Sequence, residues 1–472
     1  MDYWELRKQI IKIIPRMTQL SYTKPKGGGL NGNLRKKNYS QFDLKNNEWV
    51  RKEKLLKTEQ IDSFLEISVR AAACPMPFNM DVWDGLRCPF ACIYCYADAF
   101  RDSLYSSFFD NSKNMGLRHC NPIFYKKEID KMLKFRSFSL EKKRELSGVN
   151  KAFALEIPIR LGIQFEDFTR NELRKGISLT MLNYLKDIEY PVMMNTKSDI
   201  IGDDNYVRAL ANNPAKTAIH MTMISSNNDI LKNIEPGAPS YKERLGAMKN
   251  LVQAGVRVVA RIEPFIFLLV DEKEDVQKYI EDIRSIGIKN ITFDTYSYTS
   301  IYGSGGSDIR GNFIEKKLDF DRIFLAGCDS QPFGSLLLAK FMDLFRKEGF
   351  SCSTFDMGNV PDNDQSICCE VGDWFEGGFN YGCTVMAARF VKNRKGKKVA
   401  WHNFERYVNR NGGFLTDELK LEVKRLWNLE GNVAYSHRWS KGLMPVGRDE
   451  NGLIWIYEDK TDYREQLIKN ML

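Results

Sequence analysis

The sequence predicts an α/β protein: a partial (β/α)6 barrel of the TIM type, with an N-terminal extension and cysteine-rich and basic C-terminal regions. Six short β-type runs lie at 77–83, 157–165, 190–196, 218–224, 256–262 and 290–296, and helical patterns separate them. Strand, helix, strand repeated in this way demands parallel strands with right-handed crossovers, since tight hairpins cannot join parallel neighbours. In parallel α/β barrels the residues that do chemistry gather at the C-terminal strand ends.

Residues 1–76 read as the extension, with an amphipathic helix at 2–14 and a Gly-, Lys- and Asn-rich loop, "SYTKPKGGGLNGN". That loop lacks the Lys-Ser/Thr helix start of a P-loop and reads as a surface loop. The barrel region spans 77–300. Its clearest helix, 241–255, repeats Leu245, Met248, Leu251 and Val252 at helical spacing and closes at Gly255. The segment 273–287 repeats the pattern with Val276, Ile280 and Ile283, and Gly287 ends it. Between the first two strand candidates, 101–156 adds helical and polar material. Residues 301–384 form a looser, cysteine-rich segment with a linker-like "YGSGGSD" and a helix around 334–347. Residues 385–472 form a basic region with two helix candidates and a final strand-like "LIWIYE".

The composition is that of a soluble globular protein. "MDYWELRKQIIKII" does not read as a signal peptide, and "FIFLLV" at 265–270 is too short to span a bilayer. The expectation is a cytoplasmic protein without a membrane partner. Its ten cysteines then serve as metal ligands, reactive thiols or core residues rather than disulfides. The net charge of +9 is modest, but basic runs stand at 34–39 and 392–398. Trp401, Phe404 and Tyr407 lie near the second run, a pattern that suits phosphates on Lys and Arg with bases on rings. A solvated loop beside an ordinary amphipathic helix reads equally well.

"WDGLRCPFACIYCYADAF", residues 83–100, places Cys88, Cys92 and Cys95 in a C-x3-C-x2-C array. Zinc wants four ligands, and neither Cys74, Cys120 nor His119 stands at a compact spacing to the trio. Three thiolates from one tight loop suit a [4Fe–4S] cluster with one iron left open; zinc and inert thiols are the alternatives. The array follows the first barrel strand and precedes a helix-like run, which puts it at the active-site rim.

This arrangement resembles the radical S-adenosylmethionine enzymes. "CIYCYA", "GIQFEDFTRNE" (162–172), "NTKSDII" (195–201) and "NIEPGAPSYKERLGAMKNLVQAGVRVVARIEPFI" (233–266) further resemble the spore photoproduct lyase (DNA repair photolyase-like) branch, over about half of the chain. The resemblance implies an open iron that binds the amino and carboxylate groups of S-adenosylmethionine. It also implies reductive cleavage to a 5′-deoxyadenosyl radical, and a reducing partner such as flavodoxin or ferredoxin. Carried onto matching positions, Lys197 would reach the cofactor carboxylate, Glu166 would lie near its amino group, and Thr222 would bond the same cofactor. Arg261 and Glu263 would face the cavity or form a structural ion pair. Tyr94 and Tyr96 would stack or hydrogen-bond near the cofactor, or take part in radical relay, or pack the cluster loop. The lyase returns a hydrogen atom from a cysteine beside its second-strand motif; "RLGIQFEDF" has none, which argues against spore photoproduct repair itself.

Cys352, Cys368, Cys369 and Cys383, with Cys328 upstream, form a second group among Gly, Asp and Asn. They are candidates for an auxiliary iron–sulfur cluster, with zinc or buried thiols as alternatives. The sequence is compatible with three functions: a radical enzyme acting on nucleic acid or a nucleotide-like substrate, a radical enzyme that modifies a peptide or protein, and a zinc-stabilised nucleic-acid-binding protein without turnover.

Overall fold

The structure is a computed structural model that describes residues 1–17, 41–43, 48–50, 67–69, 78–80, 82, 88–92, 94–95, 121–163, 166–213, 216–296, 334–354, 374, 384–410, 417–430 and 443–458. After a short antiparallel pair, β1 (Gln41–Asp43) with β2 (Glu48–Val50), the chain builds an eight-stranded sheet. Its strands are β3 (Ile67–Val69), β4 (Phe78–Met80), β5 (Ile159–Leu161), β6 (Val192–Thr196), β7 (Thr217–Thr222), β8 (Arg257–Phe265), β9 (Asn290–Thr295) and β10 (Ser351–Thr354). They follow one another in space in chain order. β3 pairs antiparallel to β4, and β4 to β10 are parallel. Each of the six predicted runs is one of these strands. A sheet that never reverses its order, joined by right-handed crossovers, keeps its helices on one face and curls the other inward, as in a barrel. Here the sheet stays open, with β3 and β10 at its edges.

Phe293 of β9 packs on Phe341 and Phe345 of helix Gly334–Lys347, so its parity marks the helix-covered face. Register then assigns Asn79, Arg160, Asn195, His220, Thr222, Arg261, Thr292 and Ser353 to the opposite, inner face. That face is largely polar, interrupted by Met193, Ala218 and Val259, whereas the outer face is mostly aliphatic and aromatic. Polar side chains at this depth are tolerated only with hydrogen-bond partners.

Helix Tyr241–Gln253 starts with a capping box: Glu243 N–H donates to the Ser240 hydroxyl at 3.3 Å, and Ser240 N–H donates to the Glu243 carboxylate at 2.7 Å. Its buried face carries Tyr241, Arg244, Ala247, Met248 and Leu251. The apolar stripe read from the sequence is thus rotated slightly, and a charged residue sits at its centre. The N-terminal helix, Tyr3–Met17, buries Tyr3, Leu6, Ile10 and Ile13, one face at helical spacing. It packs on the outer layer through Phe265 and Phe341. Tyr3 donates to the fully buried Asp271 at 2.5 Å, and Arg7 Nε donates to the same carboxylate oxygen at 2.8 Å.

Helices Thr384–Lys392, Trp401–Arg410 and Asp417–Trp427, with the hairpin of β11 (Leu443–Asp449) and β12 (Gly452–Tyr457), form the C-terminal unit. Trp401 and Phe404 lie in its core, 1% and 0% exposed. This corrects the base-stacking reading for these two rings, which lie too deep to meet a base, while Tyr407 is half-buried. Among the described residues no helix is long and apolar enough to cross a membrane.

Candidate active site

The three-cysteine loop begins just past β4. Cys88 and Cys95 are half-buried, Cys92 is buried, and none is in a disulfide. Cys95 N–H donates to Cys92 C=O at 3.1 Å and closes a tight turn, with Ala91 at φ 49° before it. A second segment cradles this loop. Gly237 N–H donates to Phe90 C=O at 3.1 Å, and a Cβ at position 237 would stand 1.9 Å from the Pro89 carbonyl oxygen. Only glycine admits that approach. Burial pushes the Cys88 thiol up to about 12, with the Glu166 charge adding to it. Burial also raises Cys92. Among the described residues, no three His, Cys, Asp or Glu side chains are grouped around a single metal-ion position.

Glu166 is fully committed. Its carboxylate accepts from the Thr196 hydroxyl at 2.6 Å, from Lys197 N–H at 2.9 Å and from Phe168 N–H at 3.2 Å. Burial raises its pKa, and these bonds oppose the rise. Its visible work is to fix the end of β6 and so aim Lys197. Asp167 braces the neighbouring strands in the same way: it accepts from Gly162 N–H at 2.8 Å and from Val82 N–H at 3.3 Å. The Lys197 ammonium lies 5.5 Å from the centre of the Tyr94 ring. Burial alone would lower its pKa, but Cys92, Glu235 and Cys95 raise it on balance, so it is held protonated beside the cysteine loop.

The Tyr94 hydroxyl donates to Glu235, which pairs with Arg244 at 2.5 Å, both side chains wholly buried. Arg244 Nε donates to Pro239 C=O at 2.9 Å, and Nη1 donates to Thr222 C=O at 2.9 Å. A buried ion pair is tolerable only with such extra bonds. The network ties the cysteine loop to the end of β7. Burial and the Glu235 charge push the Tyr94 phenol well above its ordinary value. Neither Glu235 nor Arg244 was singled out as a site residue from the sequence, though a charge on the apolar stripe of 241–255 was a readable signal.

Thr222 is buried at the end of β7, in register with Arg261 of β8. Arg261 pairs with Glu263, and both are partly exposed, at 26% and 14% of their side chains. The loop cysteines, Lys197, Thr222 and Arg261 therefore collect at the C-terminal ends of adjacent strands. Cys352 does not join them. It is in register with Ile291, on the helix-covered face, buried, with its thiol 3.6 Å from the Phe350 carbonyl oxygen. Tyr96, Cys328, Cys368, Cys369 and Cys383 lie outside the described residues, as does the Gly-rich N-terminal loop.

No family model and no curated protein matches the chain. Among solved structures it is similar to a spore photoproduct lyase variant with bound AdoMet and dinucleoside spore photoproduct, at 13% identity and TM-score 0.40, over 61% of this chain and 79% of that one. It is also similar to Streptococcus suis SuiB bound to S-adenosylmethionine, at 10% identity and TM-score 0.38, over 62% of this chain and 54% of that one. For SuiB bound to the precursor peptide SuiA the values are 9% and 0.37, over 60% and 49%. The match thus spans about half of SuiB and the larger part of the lyase.

Proposed function

We propose that the chain is a radical S-adenosylmethionine enzyme acting on a nucleic-acid or nucleotide-like substrate. The observation that carries the radical core is the placement of three cysteines, none in a disulfide, on one tight loop at the C-terminal mouth of an open parallel sheet with a largely polar inner face. Cys88, Cys92 and Cys95 would hold a [4Fe–4S] cluster, since three thiolates at C-x3-C-x2-C spacing suit a cluster with one open iron better than tetrahedral zinc. When bound, the cluster and S-adenosylmethionine supply reductive cleavage to methionine and a 5′-deoxyadenosyl radical.

The remaining steps belong to the chain's own residues. Lys197, protonated, offers the cation for the cofactor carboxylate, and Glu166 keeps it aimed. Thr222 and Arg261 present polar groups on the inner face, with Glu263 holding the guanidinium in place. Tyr94 has its hydroxyl turned into the Glu235–Arg244 pair, which favours loop positioning over radical relay for this tyrosine. The substrate class rests on the motif resemblance and the basic C-terminal unit.

Equilibrium binding of S-adenosylmethionine to the reconstituted protein tests the reading. Lys197→Met should weaken binding by about tenfold or more, the worth of a charge-assisted bond, with iron content unchanged. Nucleic acid, rather than peptide, should stimulate 5′-deoxyadenosine formation. Stimulation by peptide alone would transfer the core to peptide modification.

A further inference from the structure

The C-terminal unit has an architecture that the radical chemistry does not use. Between its first two helices, Val399 bridges antiparallel to Trp455 of β12. The order is therefore helix, lone strand, helix, helix, hairpin, with the lone strand joined to the last hairpin strand. That is the chain order of a winged helix-turn-helix module, a fold whose last helix enters a duplex groove. One aromatic core unites it: Trp401 and Trp427 stand 5.6 Å apart, and Phe404 stacks on Trp427 at 6.1 Å. Trp427 Nε1 donates to Leu453 C=O at 2.6 Å, and Trp455 Nε1 donates to Trp427 C=O at 3.1 Å, which locks the third helix to the hairpin.

Topology alone assigns no partner, so the surface must. The third helix buries Val423, Leu426 and Trp427 and turns Arg425 outward. The hairpin exposes Arg448. The turn before the lone strand exposes Lys395, Lys397 and Lys398, and two contacts fix that turn: Arg394 stacks on Phe390 at 3.5 Å, and Gly396 N–H donates to Tyr457 C=O at 3.1 Å. Residues 384–458 hold 14 Lys and Arg against 8 Asp and Glu, so this stretch carries 6 of the chain's 9 net positive charges. A concentrated cation excess on a rigid module matches a polyphosphate backbone.

We propose that this unit is a winged-helix module that holds duplex nucleic acid, with Arg425 on the groove-facing helix and Lys395, Lys397, Lys398 and Arg448 on backbone phosphates. The proposal deepens the nucleic-acid reading above. It is tested apart from it, because binding requires neither iron nor S-adenosylmethionine.

The test is fluorescence anisotropy of the full chain with a labelled duplex and the matching single strand, from about 50 to about 200 mM salt. The duplex should bind more tightly, with affinity falling linearly in log salt. Lys395→Glu, Lys397→Glu and Lys398→Glu together should weaken binding by tenfold or more and flatten the salt slope by about 0.9 per lost phosphate contact. Arg425→Glu should lose about tenfold, the scale of one groove contact. Lys142→Glu with Arg144→Glu, a like reversal on the exposed helix Leu140–Glu145, should change neither quantity. Far-UV circular dichroism and melting temperature check that the variants remain folded. The proposal is overturned by absence of duplex binding at the lowest salt, by single-strand preference, or by equal loss in the Lys142/Arg144 control. Self-association abolished by Leu421→Lys, a change at an exposed leucine of the third helix, without duplex binding, would overturn it too and assign this face to a second copy. Duplex binding as expected, together with failure to cleave S-adenosylmethionine, would sink the enzyme reading and leave the module standing.

Discussion

Arg244 carries a guanidinium where the helical period calls for an apolar side chain, and the interior accepts it because Glu235 and two carbonyls meet it. Arg244→Ala would strand the Glu235 charge in the core, and the expected loss is about 3–5 kcal/mol in denaturant unfolding. Glu235→Gln with Arg244→Met removes both charges and should recover most of that loss; a double variant as unstable as the single would refute the pairing. Gly237 makes the complementary point. Its missing Cβ is what lets the segment after β7 touch the cysteine loop, so Gly237→Ala should keep the far-UV spectrum and lower iron uptake on reconstitution. Undiminished iron would show that the loop does not need this cradle. From sequence the cysteines were legible, because their spacing is local. Glu235 and Gly237 were not, because each acquires its role from the cysteine loop more than a hundred positions away; Arg244 showed only as a charge on an apolar stripe, and the sequence did not say that Glu235 and two carbonyls meet it.

At the scale of elements, helix Tyr241–Gln253 depends on its capping box. The Ser240 backbone N–H, bonded to Glu243, lowers the Glu243 pKa below its ordinary value, and the Ser240 side chain adds to this. A depressed carboxylate stabilises the fold above its unfolded pKa, and the contribution is lost as pH falls through the folded value. Ser240→Ala should cost about 1 kcal/mol near pH 7, and the gap from wild type should narrow below about pH 4. A gap that widens in acid would have the wrong sign. All six barrel strands were readable from short apolar runs between helical repeats. β10 was not, since "SCST" alternates small polar residues and its strand character comes from pairing with β9. β11 was hidden for a related reason: "LMPVGRD" holds Pro and Gly, which only an edge hairpin tolerates.

Over the whole molecule, the N-terminal helix is a layer of the sheet's outer wall and no appendage. It is anchored where Arg7 and Tyr3 meet Asp271 just beyond β8. Arg7→Ala should therefore cost about 1.5–3 kcal/mol, the worth of a hydrogen bond to a charged group, in a global unfolding experiment. A loss confined to local fraying of residues 1–17 would contradict that anchoring. The sequence could not show this, because an amphipathic stripe tells that a helix is covered and not by what. The open parallel sheet, its largely polar inner face and the three cysteines at its mouth all bear on the proposal that Cys88, Cys92 and Cys95 hold a cluster that cleaves S-adenosylmethionine. The most direct measurement is iron and sulfide per chain after anaerobic reconstitution, paired with 5′-deoxyadenosine formation, for wild type and the Cys88→Ala, Cys92→Ala, Cys95→Ala triple variant. The triple variant should hold about four irons fewer than wild type and form no nucleoside product. Zinc in place of iron, or nucleoside product from the triple variant, would contradict it.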